Sequence, residues 1–180
     1  MINFELHTKL DDETPVLIRP LRPEDKDSIM EGFERISLHS RYLRYSSSSA
    51  RLTPEDLEIL TCQDEKKYFA LGACDLSRPG LYGIGIARYV MCDDEPNTAE
   101  IAVVVVDEYQ GRGLGSLLLD LLITIARKNG IHSLRGYVLT ENRAMIRLLK
   151  RVNGTFRQLD YSTFRIDISL VGETRVKKAS

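Results

Sequence analysis

The sequence predicts an α/β fold, with strands and helices interleaved about one central sheet. Two stretches carry this. Residues 98–107 form a strand-like run, Ala99-Glu100-Ile101-Ala102-Val103-Val104-Val105-Val106, that breaks at Asp107-Glu108-Tyr109. It passes through Gln110-Gly111-Arg112-Gly113-Leu114-Gly115 into a strongly apolar helix. A second strand at residues 133–139 leads into a helix whose Met145, Leu148, Leu149 and Val152 recur at helical spacing, stopped by Asn153-Gly154.

The other elements follow in chain order. Residues 16–21 read as a first strand, ended by Pro20 and Pro23. Pro23-Glu24-Asp25 opens a helix, because proline is tolerated in a first turn and acidic residues there complement the dipole. Ile29, Met30, Phe33 and Ile36 give it a buried stripe. A short helix from Ser37 should turn Leu38, Tyr42 and Tyr45 inward, and Ser46 to Ser49 belong to a small-residue connection. Thr53-Pro54-Glu55-Asp56 supplies an N-cap and a first-turn proline for a third helix ending near Cys62. Residues 67–75 and 82–92 form an antiparallel pair around Ser77-Arg78-Pro79-Gly80. The helix over residues 113–129 is apolar nearly all round and therefore mostly buried, with Gly130 as its C-terminal cap. Residues 155–158 and 163–170 close the sheet, and residues 171–180 form a basic tail in which Arg175, Lys177 and Lys178 are solvated. The order is β-αα(α)-β-β-β-α-β-α-β-β.

Composition narrows the function. The 180 residues, 43% hydrophobic and 28% charged, suit one domain with a core over about residues 14–170. A net charge of −1 gives no general attraction to nucleic acid or an anionic membrane. No apolar run is long enough to span a bilayer and the N-terminus carries no signal-like segment, so a cytoplasmic protein is expected. Three widely spaced cysteines (Cys62, Cys74, Cys92) and three scattered histidines argue against a disulfide framework and against a metal site. Cys92 has no histidine near it in sequence and reads as a small buried or loop thiol, and Asp93-Asp94-Glu95 as a solvated turn.

The glycine-rich turn is the chemical signal. Glycines let a ligand approach backbone closely, and the first-turn N–H groups of a helix lack intrahelical partners. Together with the helix dipole they suit a pyrophosphate. A Walker loop would need Lys and Ser or Thr after the last glycine, but Ser116 and Leu117 follow Gly115. A dinucleotide fingerprint would need a glycine where Ser116 stands. The pattern Gln/Arg-x-x-Gly-x-Gly/Ala is met at every position. In this the chain resembles the GCN5-related N-acetyltransferases, and its element order matches theirs. Ile18-Arg19-Pro20-Leu21-Arg22-Pro23-Glu24-Asp25 and Ser40-Arg41-Tyr42-Leu43-Arg44-Tyr45 resemble the catalytic domains of bacterial protein lysine acetyltransferases.

The resemblance implies a mixed, mostly antiparallel sheet of about seven strands flanked by helices. It implies acetyl-CoA as acyl donor, without a metal, and an amine acceptor, favouring a protein lysine. Gln110, Gly111, Arg112, Gly113, Leu114, Gly115 and Ser116 would hold the pyrophosphate, and the backbone of Val104, Val105 and Val106 the pantetheine arm, with one N–H for the developing oxyanion. Asn142 matches a family asparagine that hydrogen-bonds that arm; as a helix-start residue it could equally satisfy local backbone. A lysine amine with a pKa of about 10.4 is neutral in about one molecule in 2,500 at pH 7, so a base is useful. Glu100 matches the family's general base, and in a regular strand it shares a face with Val104 and Val106. The tyrosine many relatives use as acid is Leu149 here; Tyr137 and Tyr161 could substitute, though each is more often a strand packing residue. A small-molecule amine acceptor, and a non-catalytic acyl-CoA sensor, are the rival readings. Exposed sheet edges in this fold would also permit a homodimer.

Overall fold

A computed structural model describes residues 3–47, 49–62, 64 and 67–171. They build one eight-stranded sheet with five α-helices. The strands are β1 (Leu6–Lys9), β2 (Pro15–Pro20), β3 (Tyr68–Asp75), β4 (Gly83–Met91), β5 (Thr98–Val105), β6 (Ser133–Leu139), β7 (Thr155–Gln158) and β8 (Thr163–Ser169). The helices are α1 (Lys26–Glu34), α2 (Leu38–Tyr45), α3 (Pro54–Thr61), α4 (Leu114–Lys128) and α5 (Arg143–Arg151). Sheet order is β1-β2-β3-β4-β5-β6-β8-β7, and only β5 and β6 run parallel.

The sheet is mixed and mostly antiparallel, as the resemblance implies, with one strand more than expected. β1 alternates half-buried and exposed residues and forms a hairpin with β2, so it has no apolar run to betray it. The basic tail lies outside the described residues from residue 172 onward, as does Ser48 of the small-residue connection.

Two helical layers divide the work. On one face α4 buries Leu114, Leu118, Leu119 and Leu122 completely, each leucine contributing about 1.5–3 kcal/mol. Gly85 on β4 lets Leu114 and Leu118 come close; a Cβ there would sit 3.2 and 3.1 Å from them. α5 joins this face, where Leu148 nears Gly115. α1 to α3 cover the opposite face. α1 buries Ile29 and Phe33 as expected, but Met30 is exposed. On α2 the expected inward face holds only for Tyr45, which packs edge-on against Phe33 and the core, whereas Leu38 and Tyr42 are exposed.

A buried ion pair fixes the start of α1. Arg19 on β2 makes a two-pronged contact with Asp25, Nη1 to Oδ2 at 2.7 Å and Nη2 to Oδ1 at 2.8 Å, and Asp25 also accepts from the Arg22 amide at 2.8 Å. Burial pushes the Asp25 carboxyl up, but the Arg19 contacts, the Arg22 amide and the nearby positive charges outweigh it and hold it below the usual carboxylate range.

Candidate active site

The site begins where β5 and β6 part. Their parallel pairing lasts three rungs, Thr98 with Ser133, Ala99 with Leu134 and Glu100 with Arg135. Beyond it β6 stays paired with β8 to its end and β5 with β4 as far as Val105, so the two strands diverge. The gap is a cleft of about 440 Å³ running between Ile101–Val105 on one side and Gly136, Tyr137 and Val138 on the other, floored by α4 and α5.

At one end lies the glycine turn. Gly111 and Gly113 have φ of +72° and +86°, the left-handed region that glycine enters without strain. Gly113 is the N-cap of α4 and no side chain caps it, which leaves the amides of Leu114, Gly115 and Ser116 without intrahelical partners. Side chains tie the turn down on three sides. Asp107 accepts from the Ser37 amide at 2.9 Å, the Ser37 hydroxyl at 2.6 Å and the Ser40 hydroxyl at 2.8 Å, fastening the turn to α2. The buried Tyr109 hydroxyl donates to Asp75 at 2.7 Å; burial and that carboxylate push its pKa up to about 12. The Arg112 guanidinium reaches Asp12 at 2.8 Å. A turn held this way has little freedom to lose when an anion binds.

The predicted donor-side residues divide. Gln110, Gly111, Gly113, Gly115, Ser116, Val104, Val105 and Asn142 all line the cleft. Gln110 Nε2 donates to the Val105 carbonyl at 3.1 Å and to Ser40 Oγ at 3.3 Å, so its side chain braces the turn against β5 and α2. Asn142 caps α5, its Oδ1 accepting from the Met145 amide at 3.1 Å. Three residues are not brought to the cleft as side chains. Leu114 is wholly buried in the core, Arg112 turns to Asp12, and only their backbone faces a ligand at the helix start. Val106 has left the strand. Its N–H donates to Ile84 at 3.0 Å and its carbonyl accepts from Tyr109 at 2.9 Å, so it has no backbone N–H for a pantetheine arm.

At the other end is Glu100. The register between β4 and β5 runs without a bulge from Ala99 to Val105, so Glu100, Ala102 and Val104 share the α1–α3 face. Val106, though past the end of the strand, keeps to that face and lines the hollow there with Ala102 and Val104. Glu100 is exposed in the last paired rung, where the gap begins, and does not itself line the cleft. Tyr137 stands across it on β6, 52% exposed. Leu149 is buried in the core, and Tyr161 is 98% exposed in the β7–β8 turn rather than packed in a strand.

Sequence reasoning passed over three features. Tyr42 faces Glu141 from α2, and the carboxylate raises its pKa by hydrogen bonding and charge. Arg44 lines the cleft, and Arg88 projects from β4 beside Ala102. Glu95 is not merely a solvated turn residue: it pairs at 2.5 Å with Arg135, which also reaches Asp167 at 3.2 Å. Each is a polar residue whose partner lies far off in the chain, so periodicity gives no signal of the contact. Among the described residues no group of three or more His, Cys, Asp or Glu could hold a metal, and no helix is long and apolar enough to cross a membrane.

Residues 35–154 match the acetyltransferase (GNAT) family. Over 136 residues the chain is 36% identical to acetyltransferase PA5475 of Pseudomonas aeruginosa, across 76% of this chain and 73% of that one. It is 30% identical over 155 residues to acetyltransferase Pat of Mycolicibacterium smegmatis, covering 85% of this chain but 45% of Pat, so it spans less than half of that relative. The solved GNAT domain of S. lividans PAT superposes with a TM-score of 0.81 at 26% identity, covering 92% of this chain and 96% of that one.

Proposed function

Because the chain belongs to the acetyltransferase (GNAT) family and so transfers an acetyl group from acetyl-CoA to an amine, we propose that the amine is a protein lysine and Glu100 its general base. The observation that carries this is the parting of β5 and β6 immediately after Glu100. A thioester donor lying in the gap, its pyrophosphate at the uncapped start of α4, has its reactive end directed toward the α1–α3 face, where Glu100 is exposed. The residues fit such a donor: free amides and left-handed glycines for the pyrophosphate, an unpaired β5 edge for the amide-bearing arm, and a cleft of the right length scale.

In the reaction the neutral amine attacks the thioester carbonyl. The new C–N bond forms, the C–S bond breaks, and the proton leaves the nitrogen for the Glu100 carboxylate. The thiol, with a pKa of about 8.5, departs as thiolate far more readily than an amine would. Developing negative charge on the carbonyl oxygen is met by a β5 backbone N–H, for which Val105 is the candidate, because Val104, like Val106, turns its N–H toward β4 in the alternating ladder. The exposed position of Glu100 supports a side chain delivered on a protein surface, and the likeness to Pat and PAT points the same way.

The test is to offer labelled acetyl-CoA with lysine-bearing proteins and, in parallel, with free polyamines, aminoglycosides and amino acids. Label on protein lysines supports the reading. Efficient turnover of a free amine with no label on protein overturns it.

A further inference from the structure

Beneath α1 to α3, next to the cleft, lies a partly open, mainly apolar hollow of about 80 Å³ against β2 to β5. Its charged lining sorts into satisfied and unsatisfied groups. Arg19 and Asp25 satisfy one another, and Asp56 accepts from the Thr53 amide and hydroxyl, both at 2.9 Å. Arg44 and Arg88 remain. Neither makes a hydrogen bond or an ion pair with any described residue, although each carries five N–H donors.

Both guanidiniums belong to the catalytic end. Arg88 is the register partner of Ala102, two residues from Glu100 on the same face, and Arg44 lines both the hollow and the cleft. Glu100 and Asp56 are the acidic groups that act on Arg44, and neither comes within ion-pair distance of it or of Arg88. Burial pushes the pKa of the Arg44 guanidinium down; the charge of Arg88 works in the same direction, while Tyr45, Glu100 and Asp56 oppose it. The Arg44 guanidinium also lies over the Tyr45 ring, 4.9 Å from its centroid, and the nitrogens of both arginines still reach solvent, so two neighbouring like charges stand ready to share an incoming anion.

We infer that Arg44 and Arg88 form a subsite for a substrate carboxylate beside the reacting centre. The planar forks of two arginines match a carboxylate, and the hollow is of its size. The inference rests on the acetyl-transfer reading and adds a substrate preference to it. The carboxylate reaches the subsite either on the acceptor, as the α-carboxylate of an amino acid or an acidic residue beside the target lysine, or on the donor, as the distal carboxylate of a dicarboxylic acyl group.

The experiment compares matched pairs with the intact protein. The acceptor arm sets lysine against lysinamide, and a Glu-Lys peptide against its Gln-Lys counterpart, with acetyl-CoA as donor. The donor arm sets succinyl-CoA against butyryl-CoA, read by turnover and by calorimetric binding. A preference for the carboxylate member on the order of tenfold to a hundredfold is expected in one arm, which names the source. Arg88→Gln and Arg44→Gln should each collapse that ratio about tenfold, and Arg88→Lys should restore part of it, with thermal melts confirming folding. Absence of a preference in both arms overturns the subsite, as does a ratio that survives both glutamine variants in folded protein. If acetyl-CoA still binds and turns over, only the subsite falls; if it does not bind, the acetyl-transfer reading falls with it.

Discussion

Glu100 stands opposite Arg135 in the last rung that joins β5 to β6, and the two strands part immediately beyond it. Their side chains share the α1–α3 face, but Arg135 is buried and tied to Glu95 and Asp167 while Glu100 is exposed. One side of the rung therefore closes the seam and the other is free for chemistry.

From this placement Glu100→Gln should lower kcat by about 10²- to 10⁴-fold, the usual range for a positioned base. Acetyl-CoA affinity should change less than about threefold, because the residue stands before the start of the cleft and away from the glycine turn. Single-turnover rates and calorimetry on one preparation check both numbers. An unchanged rate would remove Glu100 from the reaction.

The glycine turn makes a sharper prediction about two glycines that look alike in sequence. Both have positive φ, but a Cβ on Gly111 would meet open space, whereas one on Gly113 would sit 2.9 Å from the Asp11 carboxylate oxygens. Gly111→Ala should therefore carry only the left-handed strain, about 1–2 kcal/mol. Gly113→Ala should carry that strain plus the collision, and weaken acetyl-CoA binding more. Adding Asp11→Ala to Gly113→Ala should recover the steric part. Equal effects of the two single substitutions, in melts and in titrations, would contradict this account.

Much of this was legible in the sequence, for a physical reason in each case. Apolar periodicity marked α4 and β6 because both are buried along their length, and glycine chemistry marked the turn because the backbone there is left-handed. The same logic explains the gaps. β1 is a polar edge strand, held by pairing with β2, and pairing leaves no trace in composition. Leu38, Tyr42 and Tyr45 looked like a core stripe, but only Tyr45 packs against the core. Val106 keeps the alternation of β5 in its side chain, yet the turn to Tyr109 takes its carbonyl and Ile84 takes its amide. Arg44 and Arg88 meet only because β4, β5 and α2 converge, a relation between residues far apart in the chain.

The Arg19–Asp25 pair sets an acid response. The folded carboxyl sits below its usual range, so the unfolded chain binds protons there first as pH falls. The pair contributes fully above about pH 4, the ordinary carboxylate value, and its contribution is lost as pH drops through the lower folded value. Asp25→Asn should destabilise the protein at neutral pH by about 3–5 kcal/mol, since it leaves the buried Arg19 uncompensated. It should also flatten the fall of Tm below pH 4, though only in part, because Asp75 and Asp107 are likewise held low. A variant with the wild-type acid slope would remove Asp25 from the response.

The absence of a tyrosine at position 149 yields the last prediction. Leu149 is only 3% exposed, packed in the core, and its carbonyl oxygen lies 2.9 Å from where a Cβ on Gly154 would be. Its side chain stands between the core and the cleft, so a larger, hydroxyl-bearing ring must crowd its core neighbours or enter the donor's space. Leu149→Tyr should therefore destabilise the protein by about 1–3 kcal/mol through overpacking, without raising kcat. Tyr137 is the tyrosine that does line the cleft, but it is half exposed and no described residue holds its hydroxyl in place. A thiolate with a pKa of about 8.5 needs little help in leaving. Tyr137→Phe should thus lower kcat by less than about threefold, with any effect falling on KM for the acceptor. A fall in kcat of tenfold or more, with the fold intact, would instead make Tyr137 the acid that protonates the departing sulfur.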